Sequence, residues 1–79
     1  MDNDIKRQIE NLSSLISENT ADASLFFERG KLYWKACDKA AAMTDFNTAL
    51  SLDPSSPAKG YLEMANDIMD FYNTDLYNP

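Results

Sequence analysis

Two places in the chain hold residue types that could do chemistry. Cys37 stands among Lys35, Asp38 and Lys39, and Asp67 and Asp70 lie three apart on a helical stretch. A thiol beside lysines can lose its proton early and act as a nucleophile. Two carboxylates on one helix face can divide the roles of acid and base. Neither arrangement has the rest of its machinery. The chain has no histidine, which removes the usual proton carrier near neutral pH and every histidine-containing metal motif. Its two glycines, Gly30 and Gly60, are isolated within helical stretches, so no glycine-rich loop can cradle phosphate. With one cysteine, no intrachain disulfide is possible and no metal site follows. Cys37 therefore reads as a semi-buried structural thiol, and Asp67 with Asp70 as a solvated face. No catalytic residue, metal or cofactor is expected, and the chain does not read as an enzyme.

Composition narrows the remaining choices. Seventy-nine residues make one domain, 1–79, and a chain this short buries a small fraction of its surface. At 44% apolar and 25% charged, with apolar residues at helical spacing, it is globular rather than disordered. Thirteen acidic and seven basic residues give a net charge of −6, which argues against nucleic acid as a partner. Met1-Asp2-Asn3-Asp4 has neither the basic start nor the apolar core of an export signal. No stretch reaches the length of a membrane span. A soluble, cytoplasmic protein is the default expectation.

The apolar pattern has the period of helices throughout. Ile5, Ile9, Leu12 and Ile16, widened by Leu15, predict a first helix over 4–18, capped by Asp2 or Asn3. Phe26, Gly30, Tyr33 and Cys37 make one stripe of a second helix over 21–36, entered through an Asn19 or Thr20 cap. Phe27, Lys31 and Trp34 make a second stripe. Gly30 in mid-helix costs about 1 kcal/mol relative to Ala, which suggests that another helix crosses there. Asp38 caps a third helix over 39–52, whose apolar face is Met43, Phe46, Ala49 and Leu50 with Ala42 beside them. Asp53-Pro54-Ser55-Ser56-Pro57 stops it, and Ser56 caps a fourth helix over 57–72 with Pro57 at its first position. The tail 73–79 carries Leu76 and Tyr77, which can anchor it to the body. Short loops make successive helices antiparallel neighbours.

The unit 23–56 resembles a tetratricopeptide repeat. The resemblance rests on Phe26, Gly30, Tyr33, Ala42, Phe46, Ala49 and Pro54, with Leu50, Leu52 and Asp53 leading into the proline. The acidic, aromatic-rich ending is similar to that of small bacterial proteins with one such repeat. Two positions depart from the pattern. Arg29 stands where the family has Leu, its stem covering apolar surface while the guanidinium reaches water. Cys37 stands where the turn has Gly, so either the turn takes another shape or a left-handed residue is tolerated at about 1 kcal/mol. The resemblance implies an all-α fold of four antiparallel helices, stacked as a short right-handed solenoid. It would hold one full repeat between flanking capping helices.

The family also implies where a partner would lie. The first helix of a repeat lines the concave surface, which points to Ser24, Phe27, Lys31, Trp34 and Lys35. Two aromatics flanking a cation suit a peptide with an apolar side chain and a carboxylate. The same rings could instead be covered by the chain itself. A full clamp for a terminal carboxylate is not assembled, because Phe27 and Glu28 occupy places where it needs Lys and Asn. The implied function is a non-catalytic interaction module for an unidentified protein or peptide. An alternative is a homodimer through the wide apolar arc of the fourth helix and tail: Tyr61, Met64, Ile68, Phe71, Tyr72, Leu76 and Tyr77. A regulatory subunit or a fragment of a longer repeat protein is the third reading.

Overall fold

A computed structural model describes residues 3–65, and all of its regular structure is helical. Helix α1 (Asn3–Glu18), α2 (Ala23–Lys35) and α3 (Lys39–Leu52) are followed by a helical segment at 58–65, labelled α4. The helices pack in sequence, α1 on α2 and α2 on α3, with α4 closing against both α2 and α3. The result is an all-α bundle with a helical-repeat-like arrangement. Among the described residues no helix is long and apolar enough to cross a membrane.

Helices α2, α3 and α4 each begin where a short polar side chain can satisfy an orphan backbone N–H. The Asp22 carboxylate accepts from the Ser24 amide, so α2 starts at Ala23 rather than near Ala21, and Asp22 replaces Asn19 or Thr20 as its cap. Asp38 accepts from the Ala41 amide at 3.2 Å and opens α3 as the spacing predicts. The Ser56 hydroxyl accepts from the Ala58 amide at 3.2 Å and is itself buried. The caps Asp22 and Ser56 stand 34 positions apart, and so do the last residues of α1 and α3, Glu18 and Leu52. The period read in the sequence therefore recurs in the helix boundaries.

The turn between α2 and α3 takes the left-handed form. Cys37 has φ of +64°, the Asp38 amide reaches back to the Tyr33 carbonyl at 2.9 Å, and the Cys37 amide to Trp34 at 3.0 Å. These two bonds define the Schellman ending, in which a left-handed residue after the cap satisfies the last carbonyls. Glycine takes that conformation without a Cβ penalty, whereas cysteine is strained. The thiol is also exposed, not semi-buried. Cys37→Gly should therefore stabilise the protein by about 1 kcal/mol, less the extra freedom of glycine in the unfolded chain. Urea unfolding checks this through a higher midpoint at unchanged slope.

The core gathers on α3 and on the face of α4 that meets it. Ala42, Phe46, Ala49 and Ala58 are fully buried, and Leu62 nearly so. Phe46 lies at the centre, its ring 5.0 Å from Tyr61 and 6.0 Å from Phe27, while Phe27 meets Tyr61 edge-on at 5.6 Å. Aromatic groups in such tilted and edge-on contact add to the burial of their area. A Cβ built on Gly30 would lie 2.6 Å from Cε1 of Phe46 and 3.3 Å from Cβ of Asp45. Gly30 thus marks a crossing of α2 and α3 too close for any side chain. Gly60 has nothing near its Cβ position. Ile9 and Ile16 are the buried residues of α1. Leu15, expected to widen the stripe of α1, instead faces solvent, as does Leu52 at the end of α3.

One carboxylate lies inside this core. Asp45 is 2% exposed, and Arg29 reaches it from α2 with a bidentate pair of bonds, Nε to Oδ2 and Nη2 to Oδ1, each 2.7 Å. The remaining guanidinium nitrogen, Nη1, donates to the Ser13 hydroxyl on α1 at 3.0 Å. The guanidinium carbon also lies 5.7 Å from the ring centres of both Phe26 and Tyr33. The expectation that this guanidinium reaches water is therefore corrected: the side chain is 19% exposed and its charge faces inward. The Asp45 hydrogen bonds hold the arginine pKa above its ordinary value, outweighing the opposite effect of burial. Among the described residues no buried side-chain nitrogen or oxygen lacks a partner. One guanidinium ties three helices together.

Candidate functional site

The face of α2 is built from positions that the crossing at Gly30 leaves outside the tightest contact. Phe27, Lys31 and Trp34 recur at helical spacing, so they share one side of the rod. The structure gives them different surroundings. Phe27 is half-buried against Phe46 and Tyr61. The Lys31 ammonium covers its ring, 4.7 Å from the centroid, and also pairs with Glu28 at 3.0 Å. Such a cation over an aromatic face is attracted by the ring quadrupole. Trp34 is half-buried, packed on the edge of the core, and has the Lys39 ammonium 5.7 Å from its ring. Lys39 arrives there because the left-handed turn at Cys37 folds the start of α3 back beside the end of α2.

Lys31 and Lys35 are four apart and form the cationic part of a groove between α1 and α2, about 400 Å³ in volume. Glu28 and Leu32 complete the α2 wall, while Gln8, Asn11 and Leu12 supply the wall on α1. Two ammonium groups, one carboxylate paired with Lys31, two carboxamides and a leucine floor can hold carboxylates and backbone amides beside apolar side chains. Ser24 is not part of this groove. Its hydroxyl donates to Asp22 at 2.6 Å, and it borders a separate shallow recess with Asn19, Leu52 and Asp53. In the next turn of the chain, Asp53 accepts from the Ser55 hydroxyl at 2.7 Å and from the Ser55 amide at 3.0 Å. The hydroxyl bond first, and then the amide bond, draw the Asp53 carboxyl below its ordinary pKa.

The residues assigned to partner contact thus divide into three environments. Lys31 and Lys35 line the groove, Phe27 and Trp34 lean on the core with their cations above them, and Ser24 serves the helix cap. Of the oligomer candidates, Tyr61 is half-buried among Phe27 and Phe46, and Met64 is 43% exposed. Ile68, Phe71, Tyr72, Leu76 and Tyr77 lie outside the described residues, as do Asp67 and Asp70. Among the described residues no group of three or more His, Cys, Asp or Glu stands together as a metal ligand set.

Several participants were missed in the sequence reading. Gln8, Asn11 and Leu12 contribute to the groove only because α1 packs beside α2. Asp45 carried a usable signal: it is a carboxylate in mid-helix between Ala42, Phe46 and Ala49, in the partner helix of an Arg on an apolar stripe. Two opposite charges on facing apolar stripes can be retained in a core only as a pair. Compared with protein-family models, curated proteins and solved structures, the chain finds no match.

Proposed function

We propose that this chain is a non-catalytic interaction module, a short tetratricopeptide-like stack that takes a peptide or protein surface along α2. The seven signature residues, the 34-residue recurrence of caps and helix ends, and the close crossing at Gly30 support the family reading. The interaction reading is carried by one observation: Lys31 and Lys35 stand on the wall of an open groove with an apolar floor, in a chain whose net charge is −6. With Glu28 counted, the wall keeps a net positive charge, which on an acidic protein favours an oppositely charged partner segment and sets its register.

Amide resonance mapping during titration with pooled peptides tests this reading. Binding should shift Lys31, Lys35 and the Trp34 indole. Lys31→Glu with Lys35→Glu should abolish binding while the helical signal holds, with a modest fall in melting temperature because Lys31 gives up its contacts with Phe27 and Glu28. Binding that maps away from α2, or survives the double charge reversal, would refute the assignment.

A further inference from the structure

We infer that the α1–α2 groove is a berth for a helix, and that its occupant is an acidic amphipathic helix of a partner protein. The inference deepens the interaction reading above and rests on it. Its ground is a comparison of α1 with α3 at the spacing already seen in the caps and helix ends. In α3, the face formed by Ala42, Asp45, Phe46 and Ala49 is wholly covered, with α2 lying across it at Gly30 and Arg29. The residues 34 positions earlier on α1 are Gln8, Asn11, Leu12 and Leu15. Gln8 and Asn11 are exposed, Leu12 is half-buried and Leu15 is 45% exposed. Among the described residues nothing lies across this face as α2 lies across α3.

The shape of the berth follows from the same comparison. It has α1 on one side, α2 on the other and a floor of Leu12 and Leu32. A rod laid there would meet α1 and α2 as α2 meets α3 and α4. Gln8 and Leu15 replace the alanines that let α2 approach α3, so the incoming rod sits farther out and is held by longer side chains. Charge then selects its sequence. Lys31 and Lys35 are one turn apart on the α2 wall, where Glu28 pairs with Lys31 at 3.0 Å and leaves that wall with a net charge of one positive, and the α1 wall is neutral. An ammonium has three donors, so Lys31 keeps donors for a second carboxylate beyond Glu28. A helix with apolar residues toward the leucines and Glu or Asp one turn apart toward the lysines is complementary to both.

The test uses the full chain and three synthetic peptides. The first is an Ala/Leu helix with glutamates one turn apart beside its leucine stripe. The second has Lys for each Glu, and the third keeps the glutamates but carries two central prolines that forbid a helix. The acidic helix should shift the amides of Gln8, Asn11, Leu12, Lys31 and Lys35 and gain helicity on binding. Lys31→Glu with Lys35→Glu should weaken it by roughly tenfold or more, and the basic peptide should not saturate. Equal binding of the proline-broken peptide at the same amides would overturn the helix berth yet leave α2 as a peptide-binding face. Silence from both acidic peptides overturns the inference alone if the pooled titration finds a ligand on α2, and both readings if it finds none. Two results with the peptide-free protein would also overturn it. One is contact between the groove and residues 66–79; the other is a dimer by light scattering whose interface maps to Gln8 and Leu12.

Discussion

Asp45→Ala should remove about 3–5 kcal/mol of stability, the largest loss expected from any single substitution that leaves the apolar core intact. The reason is what it leaves behind. Arg29 would remain 19% exposed, facing the core, with its Nε and Nη2 donors deprived of their 2.7 Å partners. An unpaired charge in that position is far more costly than the pair is favourable. Small domains have roughly 5–15 kcal/mol in total, so the variant should be extensively unfolded at physiological temperature. The loosened element should include α1, because the Ser13 bond depends on a guanidinium held in place by Asp45. Chemical denaturation measures the loss, and amide exchange across α1 locates it. The companion double replacement, Arg29→Met with Asp45→Leu, should be markedly less damaging than Asp45→Ala, since it removes both charges. A double variant as unstable as the single one would mean that the ion pair is not the source of the loss.

Gly30→Ala is the second large effect, and its sign runs against helix propensity. Alanine is favoured over glycine in a helix interior by about 1 kcal/mol. At this site the new methyl would lie 2.6 and 2.8 Å from two ring carbons of Phe46. That ring cannot swing aside, because it is fully buried and packed against Tyr61 and Phe27. The helices must separate instead, which also stretches the Arg29–Asp45 bonds one residue away. Overpacking of this kind costs about 1–3 kcal/mol, and the coupling to the ion pair places the expected net loss toward the upper end. Phe46→Leu in the same chain should return part of the loss by making room, although Phe46→Leu alone is destabilising. Gly60→Ala is the matched control. It lies in a helix with nothing near its Cβ position, so it should stabilise the fold by up to about 1 kcal/mol. If both glycine substitutions moved the unfolding midpoint in the same direction, close approach at Gly30 would not be the cause.

Both predictions concern one crossing, and that crossing was only half legible in the sequence. The glycine was visible because a mid-helix glycine is a local penalty that needs a tertiary compensation. Its neighbour Arg29 was misread because a lone Arg on an apolar stripe ordinarily extends to water. Its fate depended on a carboxylate sixteen positions away on another helix. Nothing local to α2 announces that partner. The same limit applied at Cys37, where the sequence left two turn shapes open. Hydrogen bonds from Asp38 to Tyr33 and from Cys37 to Trp34 decided for the left-handed one. On the face of α2, spacing correctly put Phe27, Lys31 and Trp34 on one side. It could not divide them between core and groove, because that division is made by Phe46, Tyr61 and the α1 wall.

What the sequence determined by itself was therefore local and periodic: helices where apolar residues recur at helical spacing, starts at Asp38 and Ser56, a stop at Asp53-Pro54, and a need for close contact at Gly30. These follow from backbone hydrogen bonding and side-chain size within a few residues. Only the tertiary structure decided which charges turned inward, which aromatic rings met, and which face of α1 no other described residue crosses. Those outcomes depend on groups brought together from separate helices, where desolvation and packing act on the pair and neither residue alone carries the information.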